Sequence, residues 1–197
     1  MIEKALKFDT DFSLSLHGAH LELLTTRHAD GLAMACQDGK LWELNFASTP
    51  TPDTVQAYIH QALTQSDRVA FAVIHQDKVI GTTSYHDILP KCQRLEIGYT
   101  WYAKSHQRTH VNTTCKLLLL GYAFDSLHYQ TVGLRTDLDN IRSQTAIERL
   151  GAKKDGIIRG HRIQKDGTIS NTVMYSISAD EWPDIKSGLT QKLAQYI

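Results

Sequence analysis

The 197-residue sequence predicts a mixed α/β (α+β) fold: a mixed, mostly antiparallel sheet with helices on both faces. Three observations carry that expectation. Residues 68–75 (RVAFAVIH) and 78–85 (KVIGTTSY) are apolar, β-branched runs separated only by Gln76-Asp77, which reads as a hairpin. Residues 157–163 and 172–177 repeat the arrangement around the turn residues Lys165-Asp166-Gly167. Between the two hairpins, strand-like residues 95–102 (LEIGYTWY) and 131–136 are joined by a Leu-rich helical stretch, and such a β-α-β connection makes one strand pair parallel.

In chain order, residues 1–14 read as an irregular lead-in and 17–24 (HGAHLELL) as the first strand. A helix is expected over 27–37, capped by Thr26 and closed at Asp38-Gly39. Residues 40–49 form a connector carrying Trp42 and Phe46. Thr51 then caps a second helix, with Pro52 in its first turn, running to about Thr64. After the first hairpin and the central strand 95–102 come the Leu-rich helix and the strand 131–136. A further helix follows, capped by Asp137 or Asp139 and ended by Leu150-Gly151. The second hairpin leads to a last helix, where Ser178 and Glu181 have capping-box spacing. The order is βααβββαβαββα.

By length the chain is a single domain, 1–197. Lys+Arg and Asp+Glu are both 21, and the pI is about 7.2. That balance predicts neither a nucleic-acid partner nor a polybasic membrane surface. No segment has the length and apolarity of a membrane span, and the acid-bearing start MIEKALKFDTDF does not read as a signal peptide. Cys36, Cys92 and Cys115 are odd in number and far apart, so reduced thiols in a cytoplasm are expected. The ten histidines form no tight group along the sequence, and no metal-ligand spacing is visible.

The stretch QRTHVNTTCKLLLL, from Gln107 to Leu120, is a short acid-free polar turn between a strand and a helix start. The first N–H groups of a helix lack internal partners and its dipole favours negative charge, so this is a natural anion cradle. Arg108 adds a guanidinium able to fork onto phosphate.

Gln107-Arg108-Thr109-His110-Val111-Asn112 resembles the Q/R-x-x-G-x-G/A loop that binds the coenzyme A pyrophosphate in the GNAT N-acetyltransferase superfamily. The first position matches, while His110 and Asn112 stand where glycine would allow positive φ. Asn140, Ser143 and Leu150-Gly151 resemble the second cofactor motif, N-x-x-S-x-x-x-x-x-x-LG, of the RimJ/RimL-like branch that acetylates ribosomal-protein N-termini. The run DGTISNTVMYSIS with EW beyond it resembles that branch's closing hairpin, so the likeness covers roughly residues 15–185.

The resemblance implies a GNAT-like fold, acetyl-CoA as cofactor and acetyl transfer to a primary amine, on a protein N-terminus or a small molecule. It implies that Gln107, Arg108, Thr109, His110, Val111, Asn112 and Thr113 hold the cofactor. Backbone near Trp101 and Tyr102 would meet its pantetheine arm, and Asn140 and Ser143 would lie beside the thioester. The slot often held by a proton-donating Tyr is Ile147, which cannot donate, so Ser143 is the candidate to serve the leaving thiolate. Among the strand residues, Glu96 is the candidate base, with His86, Asp87 and Tyr99 in reserve. Trp42, Phe46 and Tyr99 are candidate acceptor contacts. No metal is implied, and a homodimer is possible in this superfamily. The alternative is a non-catalytic coenzyme-A-binding module, for which His110, Asn112 and Ile147 argue.

Overall fold

The computed structural model describes residues 6–196 and begins with a hairpin. β1 (Ser13–Leu16) and β2 (Ala19–Leu23) pair antiparallel, with Leu16 opposite Ala19. His17 and Gly18 between them have φ +46° and +73°, as a two-residue hairpin turn requires. The expected first strand over 17–24 is therefore corrected: His17 is in the turn, and part of the expected lead-in is strand. The lead-in's residues 1–5 lie outside the described residues.

The chain continues through α1 (Ala29–Gln37), α2 (Val55–Thr64), β3 (Val69–His75), β4 (Lys78–Leu89), β5 (Arg94–Tyr102) and α3 (Val111–Gly121). β6 (Thr131–Asp137), α4 (Ile141–Glu148), β7 (Lys153–Ile163), β8 (Ile169–Ser178) and α5 (Trp182–Leu193) complete it. The strands form one sheet in the order β1-β2-β3-β4-β5-β6-β8-β7. Among the described residues only β5 and β6 pair parallel.

Three caps differ from expectation: α5 begins after Glu181, not at a Ser178 cap, with Glu181 Oε2 accepting the Ser178 N–H at 2.9 Å. Thr25, not Thr26, caps the 3-10 turn Thr26–His28 that leads into α1. Asn140, not Asp137 or Asp139, caps α4: its side-chain oxygen accepts the Ser143 N–H at 3.1 Å. Asp137 Oδ1 instead accepts the Asp139 N–H in the turn before the helix. Thr51 and Pro52 open the second helix as expected, through a 3-10 turn at Pro52–Thr54.

Each sheet face carries its own core. On β3, Phe71 and Val73 belong to the core under α3 and α5, whereas Ala70 and Ala72 belong to the core under α1 and α2. Strand alternation makes these opposite faces. Phe71, Leu95, Leu119 and Leu120 are fully buried on the first side, each contributing roughly 2 kcal/mol of apolar transfer. The two layers fix β5 from both sides and so position what opens beside it.

Candidate active site

β5 and β6 pair only over Arg94, Leu95 and Glu96 with Thr131, Val132 and Gly133. Beyond Glu96 the two strands separate. β6 stays paired to β8 along its length, and β5 stays with β4. A bulge turns β5 away: Thr82 faces Trp101 while Ser84 faces Gly98, one residue more on β5 than on β4. Within the bulge Tyr99 has φ +50°, strained for a non-glycine residue. The buried Arg68 guanidinium lies 3.7 Å over the Tyr99 ring and donates to Ser84 Oγ at 3.0 Å. This cation–π stack offsets part of the strain.

The result is a wedge between two strands of one sheet. Ala103 N–H donates to Ile80 O at 2.7 Å, towards β4. Successive N–H groups on a strand point to opposite edges, so the Tyr102 N–H and carbonyl face the wedge. The side chains of Trp101 and Tyr102 are buried in opposite cores. Burial drives the Tyr102 hydroxyl well above its usual pKa, so what these two residues offer the wedge is backbone.

The polar turn lies at the wedge's open end. Its positive φ falls at Arg108, +62°, while His110 has φ −65° and Asn112 lies within α3. The glycine slots therefore need no left-handed backbone here, and His110 and Asn112 cost the loop no φ strain. The amides of Arg108, Thr109, His110, Asn112 and Thr113 find no acceptor among the described residues, whereas Val111 N–H donates to Thr109 Oγ1 at 3.3 Å. No Asp or Glu occurs between Glu96 and Asp125. Unspent amides without a nearby acid suit a pyrophosphate, so the residues fit coenzyme A.

Gln107 ties the turn to both walls. Its Nε2 donates to Tyr102 O at 2.8 Å, and its Oε1 accepts from the Arg142 guanidinium on α4. The two sequence blocks thus meet. Ser143, one residue on, has its N–H on the Asn140 cap, while its hydroxyl has no partner among the described residues. Ile147 is buried in the core. His110 turns its ring away from the turn, with Nε2 3.1 Å from His17 O.

Across the sheet from α3 is a cleft of about 320 Å³, lined by His86, Gly98, Tyr99, Arg135, Arg162 and Phe46 among others. The connector and the second hairpin, far apart in sequence, clasp one another at its rim. Asn45 Nδ2 donates to Asp166 Oδ2 at 2.7 Å, Asp166 N–H donates to Asn45 Oδ1 at 3.0 Å, and the Lys165 ammonium donates to Trp42 O. Phe46 and Tyr99 line the cleft; Trp42 packs against the second core instead.

Glu96 is 5% exposed and does not line the cleft. Its Oε2 lies 3.4 Å from Arg135 Nε, and Arg94 is at 3.9 Å from Oε1. Arg135 also pairs with Asp87, whose φ of +45° in a second bulge turns it towards His86. The His86 Nδ1 lies 3.1 Å from Asp87 Oδ2. That hydrogen bond, with Arg135 beside it, holds the Asp87 carboxyl down at about 2. The Arg135 guanidinium supplies positive charge to the place where His86, Asp87 and Glu96 converge.

Sequence reading missed two groupings. One is the His86, Asp87 and Arg135 cluster, for which the polar alternation Thr82, Ser84, His86 on a buried strand was the available signal. The other corrects the expectation of scattered histidines: the His75 ring lies 5.4 Å from His106 and 5.5 Å from His110.

The sequence matches the family model of the acetyltransferase (GNAT) domain over residues 20–153. It is 28% identical over 121 residues to the uncharacterised N-acetyltransferase YoaA of Bacillus subtilis, covering 54% of this chain and 67% of that one. It is 27% identical over 110 residues to YdaF of the same organism, whose name assigns it provisionally to ribosomal N-acetylation, covering 56% and 59%. Among solved structures, a GCN5-related N-acetyltransferase from Brucella melitensis superposes with TM-score 0.83 at 26% identity, covering 91% of this chain and 84% of that one. Mycobacterium smegmatis RimJ in complex with CoA-disulfide shares the fold, with TM-score 0.74 at 14% identity and 89% of each chain covered. The chain belongs to the GNAT family of N-acetyltransferases.

Proposed function

We propose that this chain moves the acetyl group of acetyl-CoA to a primary amine, with the cofactor held in the wedge between β5 and β6. The observation that carries this reading is the pairing of that wedge with five unspent amides among residues 108–113, at the start of α3. Acetyl-CoA, when bound, supplies an activated acyl carbon. The chain's own residues do the rest. The turn amides and Arg108 bind phosphate, and Gln107 holds the turn against Tyr102. The Tyr102 N–H, turned to the wedge, would donate to an acetyl oxygen gaining negative charge. The free Ser143 hydroxyl serves the leaving sulfur, and Asn140 fixes Ser143 through the helix cap.

Glu96 acts as the buried counter-ion of Arg135 and holds that guanidinium at the cleft wall. Phe46 and Tyr99 shape the acceptor's side. The wall is not acid-lined: it carries Arg135, Arg162 and Lys165 against Asp137, which disfavours a strongly basic peptide. A small amine or the first residue of a protein chain fits about 320 Å³. The Asn140 to Ser143 spacing and the name of YdaF support placement in the RimJ/RimL-like branch. The three free cysteines support a cytoplasmic protein, and the one continuous eight-stranded sheet supports a single domain. The exposed Ile157 and Ile158 on edge strand β7 support a homodimer. No helix among the described residues is long and apolar enough to cross a membrane.

The test is release of free coenzyme A from acetyl-CoA across a panel of amines, amino acids and short peptides. Amine-dependent release is the expected result. Tight acetyl-CoA binding with no release for any amine would favour the non-catalytic binding module.

A further inference from the structure

We propose that His86, oriented by Asp87, is the proton acceptor for the incoming amine. This rests on the acetyltransferase reading above and assigns a group the sequence held only in reserve. Three observations carry it.

The first is position. His86 lines the cleft, and its Nε2 lies over the Cα of Gly98, the residue that opens the β5 bulge: a Cβ on Gly98 would fall 2.2 Å from Nε2. The ring thus stands where the acceptor cleft meets the strand that borders the wedge. The second is orientation. Asp87 takes the Nδ1 side at 3.1 Å, which makes Nδ1 the protonated nitrogen and leaves the Nε2 lone pair to the cleft. Among the described residues Nε2 has no hydrogen-bond partner; the Arg135 guanidinium lies 3.4 Å from Nδ1 because both groups donate to the same Asp87 oxygen. The third is charge. Asp87 is held as a carboxylate, so it stabilises the imidazolium that forms.

Every charged neighbour of the ring has a place in this reading. On its own strand β4 there is Asp87; on β5 there are Glu96, its register partner, and Tyr99, whose ring is 5.1 Å away; on β6 there is Arg135. The guanidiniums of Arg135 and Arg94 balance the two carboxylates, so what favours the imidazolium is the direct contact of Asp87 with the ring. Glu96 spends its charge on Arg135 and lies behind the lining, which is why the base is His86 and not Glu96.

The protons balance as follows. The ammonium gives one proton to His86 Nε2 and becomes the neutral amine. Its lone pair forms the C–N bond to the acetyl carbon, and the C–S electron pair leaves with sulfur. The second proton lost by nitrogen ends on that sulfur, giving the free thiol. His86 returns its proton to solvent.

The test is the pH profile of kcat/KM for wild type, His86→Gln and Asp87→Asn, with the His86 ring titrated by NMR without substrate. The expected result is a fall of roughly 10²–10⁴-fold in His86→Gln at neutral pH, with acetyl-CoA still raising its Tm. In Asp87→Asn, kcat/KM falls at least tenfold and the acidic limb of the profile moves, together with the ring titration. A His86→Gln enzyme within threefold of wild type would overturn the proposal while leaving the acetyltransferase reading intact. So would an acidic limb that no variant moves, because that limb belongs to the amine itself. If His86→Gln does not fold, the Asp87→Asn shift decides alone. No turnover by wild type overturns both readings.

Discussion

Gly98 lies directly against the His86 imidazole, and a single methyl group on its Cα would fall 2.2 Å from Nε2. The backbone at Gly98 is not in the left-handed region, so alanine meets no φ penalty there, only the ring. Gly98→Ala is expected to displace His86 and lower kcat/KM at least tenfold, with acetyl-CoA binding retained. Steady-state kinetics beside a ligand-induced Tm shift checks it. Unchanged kinetics would mean that the ring's place over β5 does not matter.

The turn at residues 107–110 is held to the central strand and to α4 by one side chain, Gln107. Gln107→Ala removes a hydrogen bond to Tyr102 O and a charge-assisted one from Arg142. Each is worth about 1 kcal/mol net, and part of that total becomes disorder in the cradle. Acetyl-CoA binding is expected to weaken roughly tenfold by calorimetry, with little change in Tm of the free protein.

Much of this site is legible in sequence because its chemistry is local. A cofactor turn must be polar, acid-free and next to a helix start, and Gln107 to Thr114 satisfies that within eight positions. Asn140 and Ser143 stand out in the sequence for the same reason; what the structure adds is the cap that Asn140 makes to the Ser143 N–H. The Tyr99 bulge has no Gly or Pro at its strained position to announce it; packing by Arg68, 31 positions earlier, sustains it. Glu96 illustrates a different failure. Alternation gives the face of a strand residue but not what covers it, and here Arg135 from the parallel strand does. The fold class is legible because hairpins and the one crossover are each written in contiguous runs. The β1–β2 hairpin is not, because its turn hides inside an otherwise strand-like stretch.

Burial, with His106 and His110 beside it, depresses the pKa of His75 below 6.5. The unfolded chain then binds the proton more readily, so stability is full above about pH 6.5 and is lost as pH falls through the folded pKa. Tm is expected to drop between pH 7.5 and pH 5.5, and to drop less in His75→Gln. Equal pH dependence of the two proteins would contradict this.

Lys116 on α3 is 5% exposed and donates to Thr100 Oγ1 at 3.0 Å. Burial brings its pKa from 10.5 down to about 8. Between those values the unfolded state holds more protons than the folded one, so stability rises with pH across that window. Below it the buried ammonium costs on the order of 3 kcal/mol. Lys116→Met is expected to raise stability at pH 7 by up to that amount, with the gain shrinking towards pH 10.5, as measured by urea unfolding at both pH values. A destabilised variant at pH 7 would show that the Thr100 hydrogen bond outweighs the burial cost.

The account's central claim is that acetyl-CoA lies in the β5/β6 wedge with its phosphates on the turn before α3. The most direct measurement is an acetyl-CoA titration followed by backbone amide NMR. The account predicts that the largest shifts fall on the amides of residues 108–113 and Tyr102, with Arg142 and Ser143 next. Saturating acetyl-CoA that leaves those amides unmoved, or that shifts a different face of the sheet, would contradict it.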